Sequence, residues 1–577
     1  MSHLHYSFGW EKANTQLIHI LFKIGNVKEE ILEVNLPSWR PGRYEITNFA
    51  KNIIHIGAVN EKGEILSVIK TSKDSWNIEC KGASTIKIKY TYHAAILNAG
   101  SSWLDENQLY INPVNCCLYL PSRISEECEI ELKIPDNYKI AIDKKTLNCK
   151  NNFIFKSFDE LADTPFIASA NLKHIQFEEK EHVFHLWFQG VNDIPEDRLI
   201  KDFRAFCSEQ LSTMGDLPGN EYHFMFQILP EKFYHGVEHT YSTVCALGPA
   251  ADVFNVPLYD EFLGVSSHEL FHAWNVKTIR PVEMLPYQFN KENYSSLGWV
   301  YEGITTWYGD AFLFRSGVFN FEQFSKTLDE KLKRHFTNYG RFNLSVAESS
   351  FDTWLDGYVA GAPHRKTSIY TEGSLISFIL DGRIRQFSDD KASLDDLMRK
   401  LYVDAKKGKS YSRARLIELL DELAHLDHET FFSTYIEGCT DLEPLLRKYL
   451  QRIGLDLIKT TVFSDFEHKL GLRLNPLVAD AEVLLVAPDS PAELAGLMSG
   501  DKLIALDGFQ FNQVFRSDKY FEGSIGLHAF SQGKLKEFRI KAETADWFMS
   551  RKIAILENAS LEQRQAFKSW SGQDYPG

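Results

Sequence analysis

The sequence predicts a multidomain α+β protein: a β-sandwich-like N-terminal domain, a mostly helical central domain and a small C-terminal module. Three observations predict it. The chain has 577 residues, room for three or four domains at roughly 150 residues each. Residues 1–172 carry short alternating stretches such as ILEVNLP (31–37), STIKIKYTYHA (84–94) and CEIELKIP (128–135). Turn-forming runs divide them: PSWRPGR (37–43), NEKGE (60–64) and PDNYK (135–139). Many short strands at this spacing read as a sandwich. Past residue 193 the hydrophobic period changes to that of a helix.

The central domain is expected over 173–455. FHLWFQG (184–190) and EYHFMFQILP (221–230) read as strands. Between them, DIPEDRLIKDFRAFCSEQLSTMG (193–215) reads as a helix with acidic residues at its start and Gly215 at its end. Helical patterns then run from 258 to 452, among them FEQFSKTLDEKLKRHF (321–336) and SRARLIELLDELAHL (412–426). The module is expected over 456–545 and a helical tail over 546–577.

Composition excludes several classes. Net charge is −15, whereas nucleic acid selects a basic footprint. An anionic membrane surface is disfavoured for the same reason. No apolar run is long enough for a membrane span. The N-terminus lacks a basic start followed by an apolar stretch, so the expected location is cytoplasmic. Eight scattered cysteines do not make a disulfide scaffold. Cys116 and Cys117 are expected on opposite faces of a strand, with reduced thiols.

The sharpest local signal is HELFH (268–272). On a helix His268 and His272 share one face, so two neutral ring nitrogens can hold one metal ion. Glu269, beside them, can take a proton from water. The flanks Phe262, Leu263, Val265, Leu270, Phe271, Ala273 and Trp274 are apolar, and a buried histidine pair without a partner costs free energy. A catalytic zinc needs a third protein ligand and an open position. Glu302 in WVYEGITTWYGD (299–310) is the candidate, a carboxylate in a strongly apolar helical stretch. Asp310 lies about two helical turns further on and is discounted as a fourth.

SSHELFHAWNVKTIRP (266–281) followed by NYSSLGWVYEGITTWYGD (293–310) resembles the M61 peptidases, the glycyl aminopeptidase family. The shared pattern is HExxH, WNVKxIRP, ENY and WVxEG. The 29 residues between His272 and Glu302 also resemble that family's spacing and exceed the gap of other thermolysin-like aminopeptidases. The resemblance implies a thermolysin-like central domain. It implies one Zn2+ per chain on His268, His272 and Glu302, with Glu269 as general base. KTSIYTEGSL (366–375) resembles the segment carrying an oxyanion-donating tyrosine, here Tyr370. Glu372 departs from the lysine the family often has. FYHGVEHTYSTV (233–244) resembles the GxEHxxS segment, which implies that Glu238, with Gly236, binds a substrate's free α-ammonium. PSWRPGRYEI (37–46) and LADTPF (161–166) resemble the family's N-terminal domain, which implies support of the cleft and no catalytic residues there.

HGVEH (235–239) also fits the inverted zinc motif HxxEH, which requires a helix. Gly236 and the surrounding β-formers read as strand, so no second zinc is expected at that string.

DSPAELAGLMSGDKLIALDG (489–508) resembles a PDZ domain. Ser490 can cap a helix with Pro491 in its first turn, Gly496 fits a left-handed helix end, and Asp507-Gly508 fits a hairpin turn. HKLGLRL (468–474) resembles the loop that holds a peptide's terminal carboxylate, at Leu470, Gly471 and Leu472. PDZ domains bind C-terminal tails by strand addition.

Together these imply a zinc aminopeptidase acting on peptides with a free N-terminus, with a preference for N-terminal Gly or Ala. A zinc endopeptidase with the same site and a catalytically silent PDZ-bearing adaptor are the alternatives.

Overall fold

The computed structural model describes residues 3–144, 151–359, 361–477, 481–511, 523–541 and 546–577. The N-terminal region is β-rich. Its largest sheet has seven strands, with Leu17–Gly25 paired to Thr85–His93 at its centre. The sequence pattern sets the faces: Ile18, Ile20, Phe22 and Ile24 are buried while their neighbours are not. A three-stranded sheet, Ile31–Asn35, Val68–Lys70 and Ser75–Glu79, packs over the same core through Val34, Trp76 and Ile78. That core continues into the central domain, taking in Val276, Tyr287, Phe289, Tyr301 and Trp354.

One expectation is corrected here. Cys116 closes a short helix, Pro113–Cys116, and Cys117 follows it, rather than both lying on a strand. Pro113 opens that turn, and both thiols are buried. The described cysteines are all free.

The central domain has a five-stranded sheet in the order Lys173–Glu179, His182–Gln189, Glu221–Ile228, Ser242–Gly248, Phe233–Glu238. One face carries Phe184, Leu186, Tyr222, Phe224 and Phe226 into the helical core. The other carries Met225, Val237, Val244 and Ala246 against Tyr110, Ala141 and Ile167 of the N-terminal region. The expected helix at 193–215 is Glu196–Met214, closed by Gly215. Further helical stretches follow, of which Leu258–Phe271, Trp299–Ile304, Thr305–Arg315 and Ile369–Phe387 position the site.

The C-terminal module has its own apolar core around Phe466, Leu472, Val483, Leu527 and Ile540. Leu472–Leu474 is the edge strand of its sheet. The expected end of this module at 545 lies outside the described residues. The tail holds a strand as well as a helix: Ser550–Ile555 pairs with Leu455–Thr460, and Leu561–Ser571 seats Phe567 and Trp570 in the central core. Among the described residues no helix is long and apolar enough to cross a membrane.

Candidate active site

His268 lies in the last turn of the helix Leu258–Phe271 and His272 caps it with helical backbone angles, so the four-residue spacing brings the rings together. Their Nε2 atoms are 3.0 Å apart. His272 Nδ1 donates to the Asn275 carbonyl at 2.6 Å, which turns an Nε2 lone pair inward. Glu302 Oε2 lies 3.5 Å from His272 Nε2 and 4.0 Å from His268 Nε2.

Glu302 does not sit on an ordinary α-helix. Trp299–Ile304 is a π-helical turn leading into Thr305–Arg315, a local irregularity frequent at functional sites. Asn275 ties this turn to the histidine helix: its side chain donates to the Val300 carbonyl at 3.0 Å, and Thr305 Oγ1 donates to the Asn275 carbonyl at 3.0 Å. Close helix approach needs glycine at two points. A Cβ on Gly309 would lie 3.1 Å from His268 Cα, and one on Gly303 would collide with the Gly373 backbone.

The latter contact brings in the helix Ile369–Phe387, capped by the Ser368 side chain. Tyr370, in its first turn, has its hydroxyl 3.2 Å from that of Tyr358. Burial, reinforced by the Glu302 charge, pushes the Tyr370 pKa well up, so it stays a proton donor. Glu238 ends the edge strand Phe233–Glu238. Glu238, Glu269 and His272 form a second convergent group beside the first. Gly236 has a steric reason: a Cβ there would collide with the Glu269 carboxylate.

The electrostatics of this pocket fit a cation. Glu238, Glu269 and Glu302 are 3%, 5% and 2% exposed, and one oxygen each of Glu238 and Glu269 is buried without a partner among the described residues. Burial pushes Glu269 and Glu302 upward. Burial opposes charge on His272, but Glu302 and Glu238 outweigh it and push its pKa up to about 10. A site that draws a proton onto a fully buried imidazole lacks positive charge. His268, His272 and Glu302 are placed where they could hold such a cation.

Comparison with known proteins points to one family. Residues 261–376 match the M61 glycyl aminopeptidase model, and residues 5–170 match the peptidase M61 N-terminal domain. Both models describe the M61 peptidase family, and each matches one stretch of the chain. It is a peptide hydrolase. The chain is similar over its length to a solved aminopeptidase N family protein from Idiomarina loihiensis, at 26% identity and a TM-score of 0.90, covering 98% of this chain and 100% of that one. An M1 zinc metallopeptidase from Deinococcus radiodurans superposes partially, at 12% identity and a TM-score of 0.45, covering 76% of this chain and 94% of that one. No curated protein sequence matches it.

The M61 N-terminal region reaches further into the site than its sequence indicates. Tyr44 donates to Glu302 Oε1 at 2.7 Å. Gly42, with φ +82°, lets the backbone pass against the Glu238 carboxylate, where a Cβ would collide. Arg40 is 4% exposed and has its Nη2 3.3 Å from His235 Nε2. Asp163, from LADTPF, accepts from Lys277 Nζ at 2.6 Å and contacts His239 and Thr240. Burial alone would raise the Asp163 carboxyl, but Lys277 and His239 hold it well below the usual carboxylate range. This pair anchors the end of the histidine helix to the N-terminal region. The one signal in the sequence was polar residues inside PSWRPGRYEI and LADTPF.

Glu372 and the HGVEH string each have partners of their own. Glu372 turns away from the site to accept from His335 Nδ1 at 2.8 Å. His235 and His239 flank a strand end and engage Arg40 and Asp163 separately.

In the C-terminal module, Leu470, Gly471 and Leu472 are buried. Gly471 ends the helix Asp465–Leu470 with φ +70°, and its N–H is spent on the Glu467 carbonyl at 2.9 Å. The Leu474 N–H, two residues along the edge strand, donates to the Glu467 carboxylate at 3.0 Å.

Proposed function

We propose that the chain is a zinc-dependent aminopeptidase, with one Zn2+ held by His268, His272 and Glu302. The observation that carries the reading is the convergence of those three donors with two further buried carboxylates, Glu269 and Glu238, in one pocket. A bound zinc supplies Lewis acidity toward the scissile carbonyl and the attacking water.

The chain's residues do the rest. Glu269, buried with a free oxygen, takes the proton from the water and returns it to the leaving nitrogen. Its raised pKa suits it to hold a proton between those steps. Tyr370 donates from its phenol to the carbonyl oxygen as charge develops there. Glu238 accepts the substrate's free α-ammonium, which places the first peptide bond at the reacting centre. Tyr44 orients Glu302 as its hydrogen-bonded partner. The family resemblance suggests a small N-terminal residue, Gly or Ala.

We read the C-terminal module as a PDZ-like domain over 456–545, following an N-terminal domain over 1–172 and a catalytic domain over 173–455. In that reading Leu470, Gly471 and Leu472 form the loop for a peptide's terminal carboxylate, beside N–H groups of Gly471 and Leu474 that Glu467 engages.

A panel of aminoacyl-p-nitroanilides, each free and N-acetylated, tests the reading. Cleavage confined to free-amine substrates, fastest for Gly or Ala, is expected. Equal cleavage of acetylated substrates would make the enzyme an endopeptidase and remove the role of Glu238. No turnover by zinc-loaded protein on any substrate would favour the adaptor.

A further inference from the structure

A second group of metal-binding donors lies on the central sheet, away from the catalytic pocket. His185 and His223 are direct neighbours on the parallel strands His182–Gln189 and Glu221–Ile228. Glu221 is two residues before His223, hence on the same face. His185 Nε2 is 3.7 Å and His223 Nε2 3.8 Å from Glu221 Oε2. The three donor atoms lie within 4.8 Å of one another. Tetrahedral zinc, with bonds of about 2.0–2.2 Å, wants donor atoms about 3.3 Å apart. Each imidazole–carboxylate gap, 3.7 and 3.8 Å, must close by about 0.4–0.5 Å to reach that spacing. Glu238 alternates with Val237, which faces the same side as Met225, so the two pockets open on opposite faces of the sheet.

We infer that His185, His223 and Glu221 form a second site for a divalent transition metal such as zinc. His185 is already oriented for it. Its Nδ1 is 2.9 Å from His174 Nε2, while its Nε2 is buried with no hydrogen-bond partner among the described residues. A proton on Nδ1, donated to His174, leaves the Nε2 lone pair facing Glu221. The Glu221 side chain is 41% exposed, which gives an ion an entry path and a water-filled fourth position. Imidazole and carboxylate together suit zinc rather than a hard cation.

Two contacts oppose occupancy: the His185 and His223 rings stack with centroids 4.2 Å and planes 18° apart, so they must tilt toward a shared ion, and Trp187 engages His223. Trp187 Nε1 donates to His223 Nδ1 at 3.1 Å. An indole nitrogen only donates, so in the metal-free chain His223 keeps its proton on Nε2. Metal binding moves that proton to Nδ1 and breaks the Trp187 bond. The second ion therefore binds more weakly than it would without Trp187.

The test is zinc content after equilibrium dialysis against graded free zinc, read by elemental analysis on the full chain. Wild type is expected to take two ions per chain, the second at higher free zinc. His185→Ala and Glu221→Ala are each expected to stop at one and to keep peptidase activity, which separates this ion from the catalytic one. Trp187→Phe keeps an aromatic ring against His174 and should lower the midpoint for the second ion several-fold. A wild type that saturates at one ion overturns the inference, as does a His185→Ala chain that still binds two. An unchanged midpoint in Trp187→Phe removes His223 from the ligand set and overturns the three-ligand site.

Discussion

The catalytic pocket and the C-terminal module both announce themselves by sequence signatures, yet the structure treats their signature residues in opposite ways. Around HELFH, buried polar groups are left without partners: an oxygen of Glu269 and one of Glu238 accept nothing. In the module, the signature loop is folded onto itself, with Gly471 capping a helix and Glu467 covering the Leu474 N–H. Unsatisfied buried groups are costly to maintain, so their persistence points to a ligand. Satisfied ones point to packing. A motif gains functional weight from what its groups still lack.

The comparison can be broken, first at Glu269. Glu269→Gln is expected to lower kcat by about 10³-fold with zinc content unchanged. A variant with more than a tenth of wild-type kcat would remove the general base from the account. Tyr370→Phe should reduce kcat/KM by about 10²-fold, the size of one lost oxyanion donor, with KM for free-amine substrates little changed.

Tyr44→Phe sharpens the boundary of the catalytic region. Loss of the hydrogen bond to Glu302 should weaken zinc affinity by about 10–100-fold, measured by competition with a chelator. An unchanged affinity would return the N-terminal region to a purely supporting role.

Asp163→Asn tests the anchor. Lys277, whose side chain is 0% exposed, would be left as a buried unpaired charge, costing about 3–5 kcal/mol of stability in denaturant unfolding. Its pH dependence has a definite sign. The folded-state pKa of Asp163 is depressed, so its contribution is present above the ordinary value of 3.8 and is lost as pH falls below it. Wild type should lose stability through that acid range more steeply than the variant.

The smallest effect is expected in the module. Glu467→Ala frees the Leu474 N–H on the edge strand. Should the module bind peptide C-termini by strand addition, the variant should gain affinity for a C-terminal peptide library over wild type. Equal, negligible binding by both would leave the module a packing domain.

The local part of the site was legible in the sequence. HELFH is contiguous, and helical periodicity alone puts His268 and His272 on one face. Glu302 follows from one more helix and an apolar setting, but the π-helical turn that aims it has no sequence period of its own. Tyr44, Arg40 and Asp163 were not legible. Tyr44 meets Glu302 across 258 residues and Asp163 meets Lys277 across 114, and no local pattern encodes such pairings. Cys116 and Cys117 were misplaced for a related reason: an apolar run reads equally as strand or turn of helix until Pro113 and the surrounding core decide it.

The central claim is that His268, His272 and Glu302 alone hold one zinc ion and leave a position open for chemistry. A crystal structure of the zinc-loaded chain, with an anomalous difference map at the zinc edge, tests it directly. The account predicts a peak bonded to His268 Nε2, His272 Nε2 and a Glu302 carboxylate oxygen, with no fourth protein atom. A fourth protein ligand would make that ion structural, and no peak between those three residues would contradict the account.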